Sequence, residues 1–328
     1  MQLPAIFRRT KRADPLPPQT EREIELMVRL REALANPSRG LTPNPSPQPQ
    51  WQRNIDRLVE LACAHDPRDF LTWDVVRDTM FVGDEPYVAE ELSFLQSLGD
   101  WDSRWGPAIE ESAARRPPRY SGHPTSSGNL IHHAYHLARF ESASGYRVED
   151  HEVIVEFGGG YGSTCRLIER LGFSGKYIIY DLPAFSALQR YYLSSIGLEV
   201  SPDSTPEEHA MVISCEHDLD QVRYLIGAAG AAGPADKAEA SVRRLFIGEW
   251  SISETPPTIR DRFLPLTLGF DSHLIAYQSE FGGVDNTTYF ATHADRSGEI
   301  EWSDSVIPHL SPVEEHHYLF GWRPRSDS

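Results

Sequence analysis

A glycine-rich segment preceded by an acid is the part of the sequence best suited to ligand chemistry. Glu156 stands two residues before Gly158, and further glycines follow at Gly160 and Gly162. Glycines at such positions let the backbone pass close to a ligand without Cβ clashes. A dinucleotide-binding loop instead has the spacing G-x-G-x-x-G, with no acid just ahead of it. The segment therefore favours a cationic ligand over a phosphate, and a tight turn that binds nothing is the alternative.

Two more acids stand where predicted strands end. Asp181 ends the second predicted strand, and Asp218 follows the third. In doubly wound folds, ligands bind beyond the carboxyl ends of the strands, where an acid after the second strand holds both ribose hydroxyls. Asp218 would accept a hydrogen bond from an adenine amino group, although Glu216 and Asp220 compete for that role. The alternative for Asp181 and Asp218 is capping of the helix that follows.

Two glutamates, one at the end of the fourth predicted strand and one shortly after it, are candidate general bases. Glu249 and Glu254 stand on either side of the segment that begins with Trp250. A hydroxyl group that accepts a transferred group has to lose its proton, and a general base accelerates that step. Burial beside Trp250 would raise the pKa of a carboxyl group enough for this task. A solvated acid at a helix start is the alternative for each glutamate.

A histidine-containing helix supplies a third candidate base. In the segment 128–142, Asn129, His133 and His136 recur at helical spacing and form one polar face. One of these histidines, for which we choose His133, would act as a base near neutral pH. No carboxylate is spaced to complete a metal site, so the sequence predicts no metal ion. Plain surface or core histidines are the alternative.

The candidate residues after position 150 depend on alternating strands and helices. Short apolar segments predict strands over 151–157, 175–181, 211–215, 243–250, 272–280, 287–293 and 317–322. Patterns between them predict helices over 163–172, 184–197 and 257–266. This alternation predicts an α/β fold with a mostly parallel, doubly wound sheet. The last strands have no helical pattern between them, which indicates an antiparallel edge.

The sequence before residue 150 is predicted to be mainly helical. Apolar spacing predicts helices over 21–35, 51–64, 86–98 and 126–145. The segment 36–50 contains five prolines and is interpreted as a linker. We divide the chain into an N-terminal segment with this linker, a helical region that covers an acceptor site, and a cofactor-binding core. Their predicted bounds are 1–50, 51–145 and 146–328.

The glycine segment and the strand after it resemble a known family. EFGGGYG, followed by IIYDLPAFSALQRYYLSSIGL, resembles the class I S-adenosylmethionine-dependent methyltransferases, and more narrowly the sugar O-methyltransferases. The resemblance spans roughly 125–325 and includes FIGEWSISETP and HYLFGWRP. It implies a Rossmann-like methyltransferase sheet and S-adenosylmethionine as cofactor. It also implies that Glu156, Gly158, Gly160 and Gly162 surround the methionine portion, with Asp181 on the ribose and Asp218 near the adenine.

The function expected from this resemblance is methylation of a hydroxyl group on a sugar or a glycosylated small molecule. N- or C-methylation of a small molecule is one alternative. A non-catalytic cofactor-binding module that docks a partner is another. A dehydrogenase is a third, which the spacing of Glu156 disfavours.

Charge and composition limit the partners. The formal net charge is −17, of which residues 1–150 carry −4 and residues 151–328 carry −13. An acidic surface repels phosphate backbones, so the sequence predicts no nucleic-acid partner. Three scattered cysteines indicate a reducing compartment. The sequence shows no secretory signal and no membrane-length apolar segment, so a cytoplasmic location is expected and a homo-oligomer is left open.

Overall fold

A seven-stranded sheet organises the fold, in the order β3-β2-β1-β4-β5-β9-β8. The computed structural model describes residues 16–35, 49–112, 114–200, 211–231, 242–311 and 314–325. The strands are β1 (Val153–Phe157), β2 (Lys176–Tyr180), β3 (Val212–Glu216), β4 (Arg244–Glu249), β5 (Ser272–Gln278), β6 (Glu280–Phe281), β7 (Val284–Asp285), β8 (Glu301–Val306) and β9 (His316–Trp322). The short strands β6 and β7 form a separate antiparallel pair.

The predicted mostly parallel α/β sheet is confirmed. Strands β1 to β5 pair in parallel, whereas β9 runs antiparallel to both of its neighbours, β5 and β8. The antiparallel pairing is therefore at the predicted edge of the sheet. All five residues of β1 are buried, as expected for a parallel strand with both faces covered.

Helices pack against the sheet and form more than half of the described residues before residue 150. They are α1 (Glu21–Ala35), α2 (Pro49–Ala64), α3 (Asp74–Thr79), α4 (Val88–Gln96), α5 (Gly106–Ala108), α6 (Gly128–Ser144), α7 (Ser163–Arg170), α8 (Pro183–Ser195), α9 (Leu219–Ala231), α10 (Pro257–Phe263) and α11 (Asn286–Asp295). None of the helices within the described ranges is long and apolar enough to cross a membrane.

One expected strand is wrong, and two strands, β7 and β8, are not predicted by the sequence. The segment 287–293 belongs to helix α11, because the Asp285 carboxylate accepts from the Thr288 amide and caps a helix there. Strand β8 is missed because none of its residues is buried and most of them are polar, without an apolar alternation. Of the predicted linker 36–50, residues 36–48 lie outside the described residues, and α2 begins at Pro49.

Helix α6 is the element that brings the N-terminal half to the sheet. Its Leu130, Ile131 and Leu137 are fully buried in a core cluster that also contains Met27 of α1 and Leu188 of α8. Ser127 caps the start of the helix by accepting from the Leu130 amide, and Gly145 ends it in a left-handed conformation. This packing fixes the histidines of α6 beside the carboxyl end of β4.

Candidate active site

A cavity of about 390 Å³ lies at the carboxyl ends of β1, β2 and β4. This is the usual position for ligands in doubly wound sheets and a usual size for a small-molecule site. Its sheet side is formed by Glu156–Tyr161, Tyr180–Leu182 and Glu249–Ser251. Its other side is formed by Trp51, Asp78–Val82 and the α6 residues Asn129, His132 and His133. We call it the acidic cavity, for reasons given below.

The glycine segment adopts a conformation that side chains disfavour. Gly158, Gly160 and Gly162 have φ values of 75°, 55° and 97°. A Cβ on Gly158 would overlap the side chain of Ser251, whose Oγ donates to the Gly158 carbonyl at 3.0 Å. Gly158 and Gly160 line the cavity, whereas Gly162 is not among its lining residues and faces Leu193 of α8.

Glu156 is a buried acid at the centre of the cavity. It is 4% exposed, and its Oε2 accepts from the Tyr177 hydroxyl at 2.9 Å. Burial, together with the negative charge of Glu249, raises the pKa of Glu156 to about 7. The carboxyl group is therefore partly protonated near neutral pH unless a cation approaches it.

Asp181 also lines the cavity, directly after β2. Its carboxylate accepts from Gln189 Nε2 at 2.8 Å and from the Leu182 amide at 2.7 Å. Burial raises the pKa of Asp181 to about 7 despite these bonds. The N-cap of α8 is Leu182, without a side-chain cap, so helix capping does not account for Asp181.

Asp218 lies apart from these residues. It is not among the residues that line the cavity, and its Oδ1 accepts from the Asp220 amide at 2.8 Å at the start of α9. This is the local capping contact named as the alternative. The structure therefore brings together Glu156, Gly158, Gly160 and Asp181, and leaves Gly162 and Asp218 outside.

The three candidate bases all line the cavity, and two of them are bonded to each other. His133 Nδ1 lies 3.0 Å from Glu249 Oε2 and 3.3 Å from Thr164 Oγ1. Burial alone would lower the pKa of His133, but the hydrogen bond to Glu249 and the surrounding carboxylates outweigh it, so the pKa is raised above its usual range. Both contacts are made by Nδ1, so Nε2 on the opposite side of the ring takes no part in them.

Only one of the two carboxylate oxygens of Glu249 has a hydrogen-bond partner among the described residues. Its side chain is 9% exposed, and its Oε1 has no hydrogen-bond partner among the described residues. Glu254 is half-buried, and burial raises its pKa above the usual range. Its Oε1 accepts from Gln278 Nε2 at 3.5 Å.

The predicted polar face of α6 is partly wrong. Asn129 and His133 line the cavity, but His136 does not. His136 is fully buried and bonded to Tyr318 and His132, because α6 packs against β9 on that side. His132 takes its place in the cavity lining, which the one-face pattern did not indicate.

Trp250 is a site residue that the sequence prediction did not assign. Its φ is 47°, unusual for a large residue, and such outliers persist only where packing enforces them. The indole stacks on His132 at 5.6 Å, and its Nε1 donates to His316 Nδ1 at 2.8 Å. The sequence shows a tryptophan at the end of the fourth predicted strand, but nothing in the sequence indicates that this residue has a positive φ.

The ionisable side chains that line the cavity are mainly acidic. The carboxylates of Asp78, Glu156, Asp181, Glu249 and Glu254 line it, and no described lysine or arginine does. His132 and His133 are its basic groups. Within the described ranges, no group of three or more His, Cys, Asp or Glu side chains is arranged to hold a metal ion. The arrangement suits a cationic ligand and disfavours a phosphate.

Comparisons with known proteins give partial structural likenesses. No protein-family model and no curated protein matches the chain. A 23S rRNA methyltransferase is 15% identical, with 58% of this chain and 68% of that chain covered and a TM-score of 0.32. A precorrin-6y C5,15-methyltransferase from Geobacter metallireducens is 11% identical, with 66% and 99% covered and a TM-score of 0.36. A glycopeptide N-methyltransferase is 8% identical, with 57% and 94% covered and a TM-score of 0.34. At these scores the likenesses carry no conclusion about the activity of this chain.

Proposed function

We propose that the protein is an S-adenosylmethionine-dependent O-methyltransferase that acts on a hydroxyl group of a sugar or a glycosylated small molecule. The observation that carries the proposal is the set of five carboxylates, with no described lysine or arginine, around a cavity at the carboxyl ends of parallel strands. Dehydrogenase cofactors bring a pyrophosphate, which such a cavity would repel.

The cavity fits this cofactor by charge. Bound S-adenosylmethionine supplies a methyl group on a positively charged sulfonium, and it also carries an ammonium group. Glu156 and Asp181 are carboxylates that line the cavity, Glu156 is buried, and each can pair with a hydrogen-bond donor of the cofactor. Buried charges require such partners. In the proposal, Glu156, Gly158 and Gly160 hold the methionine portion and Asp181 holds the ribose.

Gly162 and Asp218 keep weaker roles in the proposal. Gly162 would act through the backbone, because its left-handed φ of 97° ends the glycine segment at the start of α7. Asp218 is not among the residues that line the cavity, so it would contact only an adenine that extends beyond that lining.

The geometry favours His133 as the general base, with Glu249 as its partner. The carboxylate of Glu249 holds the Nδ1 proton, so Nε2 is the nitrogen that would take the proton from the acceptor hydroxyl. A second carboxylate candidate, Glu254, lies on the same wall of the cavity, after β4. Since Glu249 Oε2 is engaged by His133, Glu249 is assigned the positioning role rather than that of the base.

Residues before α6 are proposed to exclude water from the site. Trp51 and Asp78–Val82 line the cavity opposite the sheet, in the region 51–145 that we propose covers the acceptor. Excluding water and fixing the acceptor near the methyl group are what a transfer of this kind requires from the protein. A sugar acceptor is supported by the sequence resemblance. That the protein does not bind nucleic acid, and that it is cytoplasmic, stay predictions.

A methyl-transfer assay tests the proposal. Purified full-length protein is incubated with S-adenosylmethionine labelled in the methyl group and with a panel of sugars, glycosides, amines and RNA. We expect label on a sugar hydroxyl, located by mass spectrometry. Replacing His133 by Ala should reduce that transfer about 10²- to 10⁴-fold, whereas His65→Ala, at an exposed histidine of the N-terminal half, should not. Label on nitrogen, carbon or RNA would contradict the O-methyltransferase assignment.

A further inference from the structure

The acidic cavity is lined by more carboxyl groups than the proposed cofactor has cationic groups. S-adenosylmethionine carries two cationic groups and one carboxylate, hence one net positive charge at neutral pH. The cavity is lined by five carboxylates. When Glu156 and Asp181 are assigned to the cofactor, Asp78, Glu249 and Glu254 remain, and of these Glu249 is bonded to His133 of α6.

The second observation is an unsatisfied buried oxygen on one of these remaining acids. The Glu249 side chain is 9% exposed, its Oε2 is bonded to His133, and its Oε1 has no partner among the described residues. A buried carboxylate oxygen without a donor is energetically costly. A ligand that donates a charged N–H there would remove that cost.

Aromatic rings complete a cation-binding environment. The rings of Trp51, Phe81 and Trp250 line the same cavity. Their faces attract an ammonium group, especially where water is excluded. An anionic ligand would gain nothing from these rings and would meet like charges on Glu249 and Glu254.

From this charge pattern we propose that the acceptor carries a protonated amine as well as the hydroxyl that is methylated. The amine would lie against Glu249 and Glu254, which places the acceptor in the class of amino sugars and aminoglycosides. Acceptors that carry a phosphate, a nucleoside diphosphate or a carboxylate are excluded by the same charges. This inference rests on the proposed function, because it assigns Glu156 and Asp181 to the cofactor.

Calorimetry on the full chain tests this inference in two separable steps. The first step titrates S-adenosylhomocysteine alone, and failure to bind would count against the proposed function, whatever the acceptor. The second step saturates the protein with S-adenosylhomocysteine and titrates glucosamine and kanamycin, each in its free-amine form and in its N-acetylated form. The two forms share their hydroxyl groups and differ in charge.

We expect the free-amine form to bind at least about tenfold tighter than its acetylated partner, with a difference that shrinks as salt is added. Replacing Glu254 by Gln should reduce this preference, whereas Glu25→Gln, at an exposed acid paired with Arg29, should leave it unchanged. The comparison of the two ligand forms is made on the wild-type protein, so it stands even if a variant does not fold. Equal binding of both forms, tighter binding of the acetylated form, or no binding of either amine at millimolar concentration would overturn the inference.

Discussion

Glu156 and Asp181 are partly protonated near neutral pH, and a ligand that binds their ionised forms has to displace those protons. Burial raises the pKa of each to about 7. The ligand binds the ionised carboxylates, so its affinity is full above pH 7 and is lost as pH falls below that value. Each group contributes up to about tenfold per pH unit below its pKa.

The first prediction concerns this pH dependence. The affinity for S-adenosylhomocysteine should fall between pH 8 and pH 6, and binding near pH 7 should release protons. Calorimetry in two buffers of different ionisation enthalpy measures both quantities. Asp181→Asn should weaken binding and also remove part of the proton release. An affinity that does not change between pH 6 and pH 8 would show that these acids do not face the ligand.

The second prediction concerns the His133–Glu249 pair. The base acts only when deprotonated, so the rate of methyl transfer should rise with pH through an ionisation above the usual histidine range. Glu249→Gln removes the charge that raises this pKa, so the rising limb should move to lower pH while the maximal rate falls. Single-turnover rates from pH 5.5 to 9 give both values. If the rising limb of the pH profile stays at the same pH in Glu249→Gln, the proton transfer would be assigned to another group. Glu254 would then be the next residue to replace.

At the scale of elements, the segment after β4 is held by a buried arginine. Arg260 of α10 is 1% exposed and donates to the carbonyls of Ser253 and Thr255 and, at 2.6 Å, to Asn286 of α11. Glu254 and Thr255 line the cavity. These three acceptors are bound by three nitrogen atoms of one planar guanidinium. The ammonium group of a lysine cannot donate in the same three directions.

The third prediction follows from this contact. Arg260→Lys should lower the free energy of unfolding by on the order of 2–4 kcal/mol, because carbonyls and the Asn286 amide lose donors. It should also weaken substrate turnover through the loosened segment. Denaturant unfolding measures the change, and Arg262→Lys, at an exposed arginine two residues away, is the matched control. Equal stability of the two variants would contradict the proposed role of Arg260.

Elements with strong local patterns were predictable from the sequence. Strand β1 is an uninterrupted apolar segment apart from Glu156, and α6 carries both a serine cap and a terminal glycine. Helix α11 was mistaken for a strand because its threonine and aromatic residues favour strands, and the capping contact of Asp285 decided otherwise. Strand β8 depends on pairing with β9, a tertiary contact that its own polar sequence does not encode.

At the scale of the whole molecule, the site is assembled from distant parts of the chain. The contact between His133 and Glu249 joins residues 116 positions apart, from α6 and β4. Sequence reasoning placed both among the candidate bases but could not pair them, because that pairing depends on how α6 packs against the sheet. The same packing buries His136 and exposes His132 to the cavity, which a helical periodicity cannot distinguish.

The one-sided charge of the cavity also arises only from assembly. Asp78 comes from α3, Glu156 from β1, Asp181 from the end of β2, and Glu249 and Glu254 from the end of β4 and the loop after it. The net charge of −17 is a property of the whole chain and does not place the acids together. Their convergence at one cavity is the central support for a cationic cofactor.

The proposal that the cavity binds S-adenosylmethionine is tested most directly by a binding measurement on the full-length protein at pH 8. The measurement compares S-adenosylhomocysteine with NAD. Calorimetry should show one site per chain for S-adenosylhomocysteine and none for NAD, since the cavity repels a pyrophosphate. Asp181→Ala should weaken the binding of S-adenosylhomocysteine by about tenfold or more, because it removes charge-assisted hydrogen bonds to the ribose. Glu25→Gln, far from the cavity, should bind as the wild type does. Binding of NAD in place of S-adenosylhomocysteine, or equal affinity in Asp181→Ala, would contradict the account.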